Sequence, residues 1–291
     1  RPEDAGKPEP RYPLHAKVCG SCFLVQVDHD VPAAAIFSDY AYFSSYSTSW
    51  VAHARRYADA MRGRFGLDPH SLVVEIASND GYLLQHFAAD GIPVLGIEPA
   101  ANVAAAAVAR GVPTEVAFFD VDTARRLRAA GRTADLMAAN NVLAHVPDLN
   151  AFVGGFPILL ATEGVLTIEF PHLVNLIAEV QFDTIYHEHY SYLSLLAVEH
   201  VLARHGMRVF DVEQLQTHGG SLRAFACHRA ARHAEGAGLA HIRALEKSAG
   251  LGTLQAYGGF AARADAVRRA LVEFLRTAKA EGRKVAAYGA A

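Results

Sequence analysis

The chain predicts a doubly wound α/β fold, and three observations carry that prediction. Short apolar runs alternate with helical periodicities, small-residue turns follow the runs, and an acidic residue closes the second run. The first element is a helix, because apolar residues recur at helical spacing from Val51 to Phe65 and Gly66 with Asp68-Pro69 ends them by turn chemistry. Leu72 to Ile76 reads as a buried strand, Gly81 to Ala89 as a helix, and Val94 to Ile97 as a second strand before an alanine-rich helix over Ala101 to Ala109. Further strands are expected at Glu115 to Phe119, Asp135 to Asn140 and Val165 to Phe170. Leu193 to His205 is helical in pattern. Arg208 to Glu213 and Ser221 to Cys227 complete seven strands, joined by Thr217-His218-Gly219-Gly220. Such βαβ alternation builds a parallel sheet with helices on both faces.

Residues 1–48 form a small module and linker. They hold Cys19-Gly20-Ser21-Cys22, a strand-like Phe23 to Val27, and an aromatic, serine-rich stretch starting at Tyr40. Residues 49–229 carry the strand and helix alternation, and from 230 to 291 the sequence turns alanine- and arginine-rich with helical periodicity to about Ala280. The chain starts without methionine and ends on a strand-like run into Gly289, so a piece of a longer protein is expected. At 291 residues and 52% hydrophobic content it can bury a large core. Lys and Arg number 27 against 30 Asp and Glu, which gives no field for a nucleic-acid backbone. No run approaches the roughly 20 apolar residues of a membrane span. The polar, proline-rich Arg1 to Pro13 is no signal sequence, so a cytoplasmic protein is expected. Three cysteines make no disulfide framework; the CxxC reads as half a zinc site or a redox pair, and Cys227 as a core residue.

The turn after the first strand, Ala77-Ser78-Asn79-Asp80-Gly81, lies where open α/β sheets bind ligands. Glu98 follows Gly81 by 17 residues and is spaced to accept hydrogen bonds from two ribose hydroxyls. A nicotinamide cofactor needs GxGxxG for its pyrophosphate, and Ala77 and Asn79 stand where those glycines belong. A single late Gly81 suits S-adenosylmethionine, whose zwitterionic end side chains such as Glu75 and Asn79 can hold. Asn140, with Asn141 after the fourth strand, falls on the same edge.

Residues 182–192, Phe-Asp-Thr-Ile-Tyr-His-Glu-His-Tyr-Ser-Tyr, collect three phenols, two imidazoles and two carboxylates. Histidine beside carboxylate can take and return a proton near neutral pH, so this is the expected reaction site. A polar loop of satisfied histidines is the plain alternative. A metal site of a hydrolase or epimerase, from His145, His187, Glu188 and His189, is a second; a non-catalytic binding module is a third. Thr217 to Ser221 reads either as a hairpin turn or as a loop over a substrate, and Arg223 as a strand-edge surface residue or a phosphate contact.

The strings VVEIASNDGYLLQ, NNVLAHVPDL, TIEFPHL, QFDTIYHEHYSYLS and THGGSLR, in this order, resemble the S-adenosylmethionine-dependent C-methyltransferases of nucleotide-linked keto-deoxysugars in antibiotic pathways. The resemblance spans nearly the whole chain and implies a seven-stranded Rossmann-like methyltransferase domain. An N-terminal module with structural zinc on two CxxC pairs is implied too, with Cys19 and Cys22 as one pair, and residues 230–291 as the start of a C-terminal α/β domain. By resemblance His189 is the general base, with Glu188 and Tyr186 beside it, His145 from the fourth-strand loop and Tyr40 from the linker. The implied partner is a nucleotide sugar. The implied cofactor set adds zinc to S-adenosylmethionine.

Overall fold

The computed structural model describes residues 11–28 and 40–287, with 6, 8, 32 and 37. Near its start, β1 (Lys17–Val18) and β2 (Val25–Gln26) form an antiparallel hairpin, and α1 (Thr48–Phe65) follows the linker. Ser47 caps α1 by accepting from Trp50 N, and Gly66 ends it at φ 63°, a left-handed conformation that glycine adopts without steric cost.

The alternating segment then lays down β3 (Val73–Ile76), α2 (Leu84–Ala89), β4 (Val94–Glu98), α3 (Ala101–Ala109), β5 (Thr114–Val116), α4 (Val121–Ala129) and β6 (Ala134–Ala138). It continues through α5 (Leu149–Leu159), β7 (Leu160–Pro171), α6 (Leu173–Glu179), β8 (Ser191–Tyr192), α7 (Leu195–Arg204), β9 (Met207–Leu215) and β10 (Ser221–His228). Seven strands pair in the order β5-β4-β3-β6-β7-β10-β9. The sheet is mixed rather than parallel throughout, because β10 runs antiparallel to both β7 and β9. Its connection to β9 spans only residues 216–220, and so short a turn can join only antiparallel neighbours.

Side chains alternate across each strand and feed two cores. Val73, Leu136, Val165, Phe225 and Cys227 pack with α1 to α3 through Tyr57, Met61, Leu84, Phe87 and Ala107. Val74, Met137, Leu166 and Leu222 pack on the other face with Phe156, Val198 and Leu202. The segment beyond 229 first completes this second face: Leu239 and Ile242 of α8 (Ala237–Ser248) are buried in it. Glu246 of α8 accepts from Leu195 N at 2.5 Å and bonds His172 Nε2 at 2.8 Å. The last helix, α9 (Phe260–Ala280), is largely exposed.

Several expected boundaries move: the strand expected from Val165 already begins at Leu160, and two other shifts have a local cause. The helix expected from Gly81 starts at Leu84, since Asn79 and Gly81 are left-handed at φ 48° and 77°. The strand expected to reach Phe119 stops at Val116, because Phe118 and Asp120 serve α4: the Phe118 carbonyl accepts from Thr123 Oγ1 and the Asp120 carboxylate accepts from Thr123 N.

A second sheet, β1-β2-β8, carries the end of the histidine-rich stretch. Val25 pairs with Tyr192, and Val27 N donates to Tyr190 O at 3.0 Å. Leu173 and Leu176 of α6 pack beneath it with Val25, Val27 and Tyr192.

Candidate active site

A cavity of about 990 Å³ opens at the carboxyl ends of the parallel strands, where Ala77, Glu98, Asn140 and Pro171 meet on its wall. At one end, Ala77 and Asn79 take φ of 57° and 48°. These are the positions where glycine is usual, so the turn keeps its shape at some steric cost. Asn79 N donates to Glu98 Oε2 at 2.9 Å, and Ala100 N to Glu98 Oε1 at 2.8 Å. Burial raises the Glu98 pKa while these two donors oppose it. Each oxygen of the buried carboxylate keeps a lone pair for a ligand hydroxyl.

Asn141 adds a third strained residue, at φ 56°, and neither polar atom of its buried carboxamide has a partner among the described residues. It lines the cavity, so a ligand there can satisfy it. This donor set fits S-adenosylmethionine: a carboxylate for ribose hydroxyls, free amide groups at a strand end, and apolar walls from Ile97, Phe119 and Phe152. Of the expected cofactor residues, Ala77, Asn79, Glu98 and Asn140 line the cavity. Glu75 and Gly81 stand behind the wall. Glu75 is 2% exposed and held neutral-leaning, its pKa raised by burial and then by Glu98. Gly81 leaves room for α3 and the strand after it, since a Cβ there would lie 3.1 Å from Val112 Cγ2 and 3.3 Å from Ala107 Cβ.

At the other end, the loops after β6 and β7 bring His145 and His189 together with ring centroids 4.7 Å apart. His189 Nδ1 lies 2.9 Å from the Thr184 carbonyl, and Nε2 lies 3.0 Å from Tyr186 Oη. A carbonyl only accepts, so Nδ1 carries the hydrogen and Nε2 keeps a lone pair that accepts from the tyrosine. His145 is fixed the same way, with Nδ1 3.0 Å from the Glu188 carbonyl. Burial lowers the His189 pKa, with His218 adding to the effect. Burial, then His189, pushes His145 down to about 4. Both rings are therefore neutral near pH 7. Tyr40 joins them, its pKa raised to about 12 by burial and by the charges of Glu188, Tyr186 and Glu98.

Three features mark this end, and the last argues against the metal-site alternative. The ring of His189 is oriented by the Thr184 carbonyl, while the Glu188 carboxylate makes no hydrogen bond among the described residues. His145, with Nδ1–H held by a carbonyl, presents only a lone pair and is no hydrogen-bond donor to a substrate. His187 turns outward to the Pro13 carbonyl at 3.2 Å, because residues 187 and 188 form a turn closed by His189 N on the Tyr186 carbonyl and the two histidines do not share a face as in an extended segment; no group of three metal-ligating side chains forms among the described residues.

Sequence reasoning missed Trp50 and Glu169, both on the cavity wall, and left His218 undecided. His218 faces the cavity at φ 51°, edge-on to Trp50 at 5.3 Å. Glu169 had a visible signal, a charge inside the apolar run from Val165 to Phe170. It is 1% exposed, bonded by Arg223 Nε at 2.7 Å and His53 Nε2 at 3.3 Å. Arg223 is neither a surface residue nor free for phosphate; it is buried between Glu169 and Glu213 on an interior strand.

Cys19 and Cys22 sit in the β1-β2 turn. The N–H groups of Cys22 and Ser21 lower the Cys19 thiol pKa, and burial raises that of Cys22. Such donors favour thiolate at Cys19, yet two sulfurs do not complete a tetrahedral site, and the described residues supply no further ligands to it. Cys227 is buried in the core as expected.

Residues 1–37 match a domain family described as "Putative zinc binding domain", and residues 216–291 one described as a C-methyltransferase C-terminal domain. The magnesium protoporphyrin IX methyltransferase of Synechocystis PCC 6803, solved with bound SAH, is 16% identical over 62% of this chain and 84% of that chain, at a TM-score of 0.49. A S-adenosylmethionine-dependent methyltransferase from Anabaena variabilis is 14% identical over 62% of this chain and 87% of that one, at a TM-score of 0.48. The C-methyltransferase NovU of Streptomyces niveus is 37% identical over 99% of this chain and 68% of its own length. Residues 50–212, which contain the acid-tipped strand, both histidines and most of the cavity wall, match the methyltransferase domain family. With that domain and a relative 37% identical over 99% of this chain, the chain belongs to the S-adenosylmethionine-dependent C-methyltransferases.

Proposed function

We propose that the chain methylates the carbon next to the ketone of a nucleoside-diphosphate-linked keto-deoxysugar, with His189 as the general base. One observation carries this reading: His189 Nε2 keeps its lone pair inside the cavity because Nδ1–H is held by the Thr184 carbonyl. A neutral imidazole so fixed is ready to accept a proton from an acidic C–H. S-adenosylmethionine, when bound, supplies an electrophilic methyl group that a carbanionic carbon can take from sulfur.

The chain's part is proton transfer and positioning. His189 takes the α-proton on Nε2, and the electron pair of the broken C–H bond moves onto the ketone oxygen as an enolate. The Tyr186 hydroxyl, 3.0 Å from that nitrogen in the free site, turns from His189 to the oxygen and donates where charge develops. His145 stays neutral, which spares the protonated His189 a second positive charge beside it. Glu98 and Asn141 hold the cofactor at the strand ends, with Ala77, Asn79 and Asn140 as wall. Cys19 and Cys22 are two zinc ligands of a structural site in the 1–48 module. Residues 49–229 form the catalytic domain with α8 completing its second face, and the rest of 230–291 belongs to a C-terminal unit that serves the nucleotide.

The test is α-proton exchange. A thymidine-diphosphate-linked keto-deoxysugar in deuterium oxide should exchange the hydrogens next to its ketone in the presence of the protein, and should gain one methyl group there once S-adenosylmethionine is added. If neither a 3-keto nor a 4-keto sugar exchanges or gains a methyl group, the substrate class is wrong. NovU's description as a C-methyltransferase supports carbon as the acceptor.

A further inference from the structure

Residues Tyr40 to Ser47 run along the cavity and are tied to its cofactor end at three points. Asn79 accepts from Ser44 N at 2.9 Å and donates to Tyr42 O at 3.0 Å. Buried Asp80, paired with Arg110 at 2.7 Å, accepts from Ser45 N at 3.4 Å and from the Ser45 hydroxyl. Asn102, in the first turn of α3, accepts from Tyr40 N at 3.2 Å and donates to Tyr40 O at 2.7 Å. A carboxamide that meets both polar atoms of one residue copies a strand partner and fixes that residue's backbone position and rotation.

Asn102 does not line the cavity, and its side chain makes no other hydrogen bond among the described residues. Tyr40 does line it, where the charges of Glu188 and Glu98 both reach its phenol. Asn79 shows the same logic from another side. It holds φ 48°, where glycine would sit without strain, and both polar ends of its side chain go to the strap. The strained asparagine is explained by the strap and not by the turn. Its peptide N–H meanwhile serves Glu98, so one residue joins the cofactor carboxylate to the segment that carries the tyrosine.

We propose that Asn102 is a positioning residue for methyl transfer, clamping the Tyr40 peptide from outside the cavity so that its phenol stands between the cofactor end and the reaction end. The inference rests on the reading that Tyr40 serves the substrate. It assigns Asn102 no contact with either ligand. Misplacing a group by about 1 Å can cost up to about a hundredfold in rate, and a loosened strap should fall below that limit.

The decisive experiment is a double-mutant cycle on the full chain with S-adenosylmethionine and a thymidine-diphosphate-linked keto-deoxysugar. Asn102→Ala should lower kcat about tenfold, leave the calorimetric Kd for S-adenosylhomocysteine unchanged, and cost nothing further in a Tyr40→Phe background. An equal loss in both backgrounds, no loss in either, or a fully active Tyr40→Phe protein overturns the proposal. Amide hydrogen exchange decides independently of substrate: in Asn102→Ala, residues 40–47 should exchange faster while α3 keeps its protection. If wild-type protein methylates no keto sugar, the substrate reading fails by itself, and unchanged exchange over 40–47 would then overturn the clamp.

Discussion

At the cofactor end of the cavity, Glu98 is held by two peptide N–H groups where strand meets helix, and the strands behind it are hydrogen-bonded on both sides. At the reaction end, His189 and His145 are held by single carbonyls in irregular chain, and regular pairing resumes only at Ser191 and Tyr192. The first arrangement fixes a charge by backbone geometry; the second fixes a proton by tautomer. A charge needs many donors and little freedom. A proton acceptor needs one ring atom bare, and a loop can supply that without a sheet around it.

The contrast is sharpest at His189. His189→Ala should reduce methyl transfer by about a hundredfold or more, the range for losing a general base, while calorimetry with S-adenosylhomocysteine returns an unchanged Kd. Equal weakening of both would mean that the two ends are not separable. The complementary change is Glu98→Gln, which keeps the volume but sets an NH₂ against one of two backbone donors. The loss of charged hydrogen bonds, ~1.5–3 kcal/mol, should raise the S-adenosylhomocysteine Kd about tenfold to a hundredfold. Turnover at saturating cofactor should change far less.

The pH profile tests the proton end alone. As the proposed base His189 must be neutral, and burial lowers its pKa below that of a free histidine, so the acid-side fall of kcat/KM should come at lower pH than an unperturbed imidazole would give. Stability follows the same sign through His145. Its pKa is about 4 in the folded chain against 6.5 unfolded, so the unfolded state binds more protons between these values, and stability declines as pH falls through that window. His145→Gln should flatten that slope in urea titrations at pH 5 and 7. The smallest effect is expected next door to the base: His187→Ala, which loses a contact to the Pro13 carbonyl and an edge contact with Tyr12, should keep turnover within about twofold. A larger loss would place His187 back in the cavity.

The sheet was legible because apolar runs, Gly66 and the acid-tipped second strand all report local chemistry. Glu98, Asn79, His145 and His189 were legible for a related reason: strand ends converge on one edge whatever their long-range contacts. The roles within the reaction end were not. Whether Thr184 or Glu188 orients His189 depends on a loop turning back on itself, and no residue spacing encodes which carbonyl it meets. Arg223 was misjudged because β10 sits inside the sheet, a position set by the hairpin with β9 and not by its own composition.

The pairing of Val25 with Tyr192 has a consequence for dissection of the chain. A fragment trimmed to the helix-flanked sheet would retain the Glu98 end of the cavity, yet the histidine-bearing stretch would lose the strand that seats its end. The short N-terminal hairpin is thus structurally part of the site's second half.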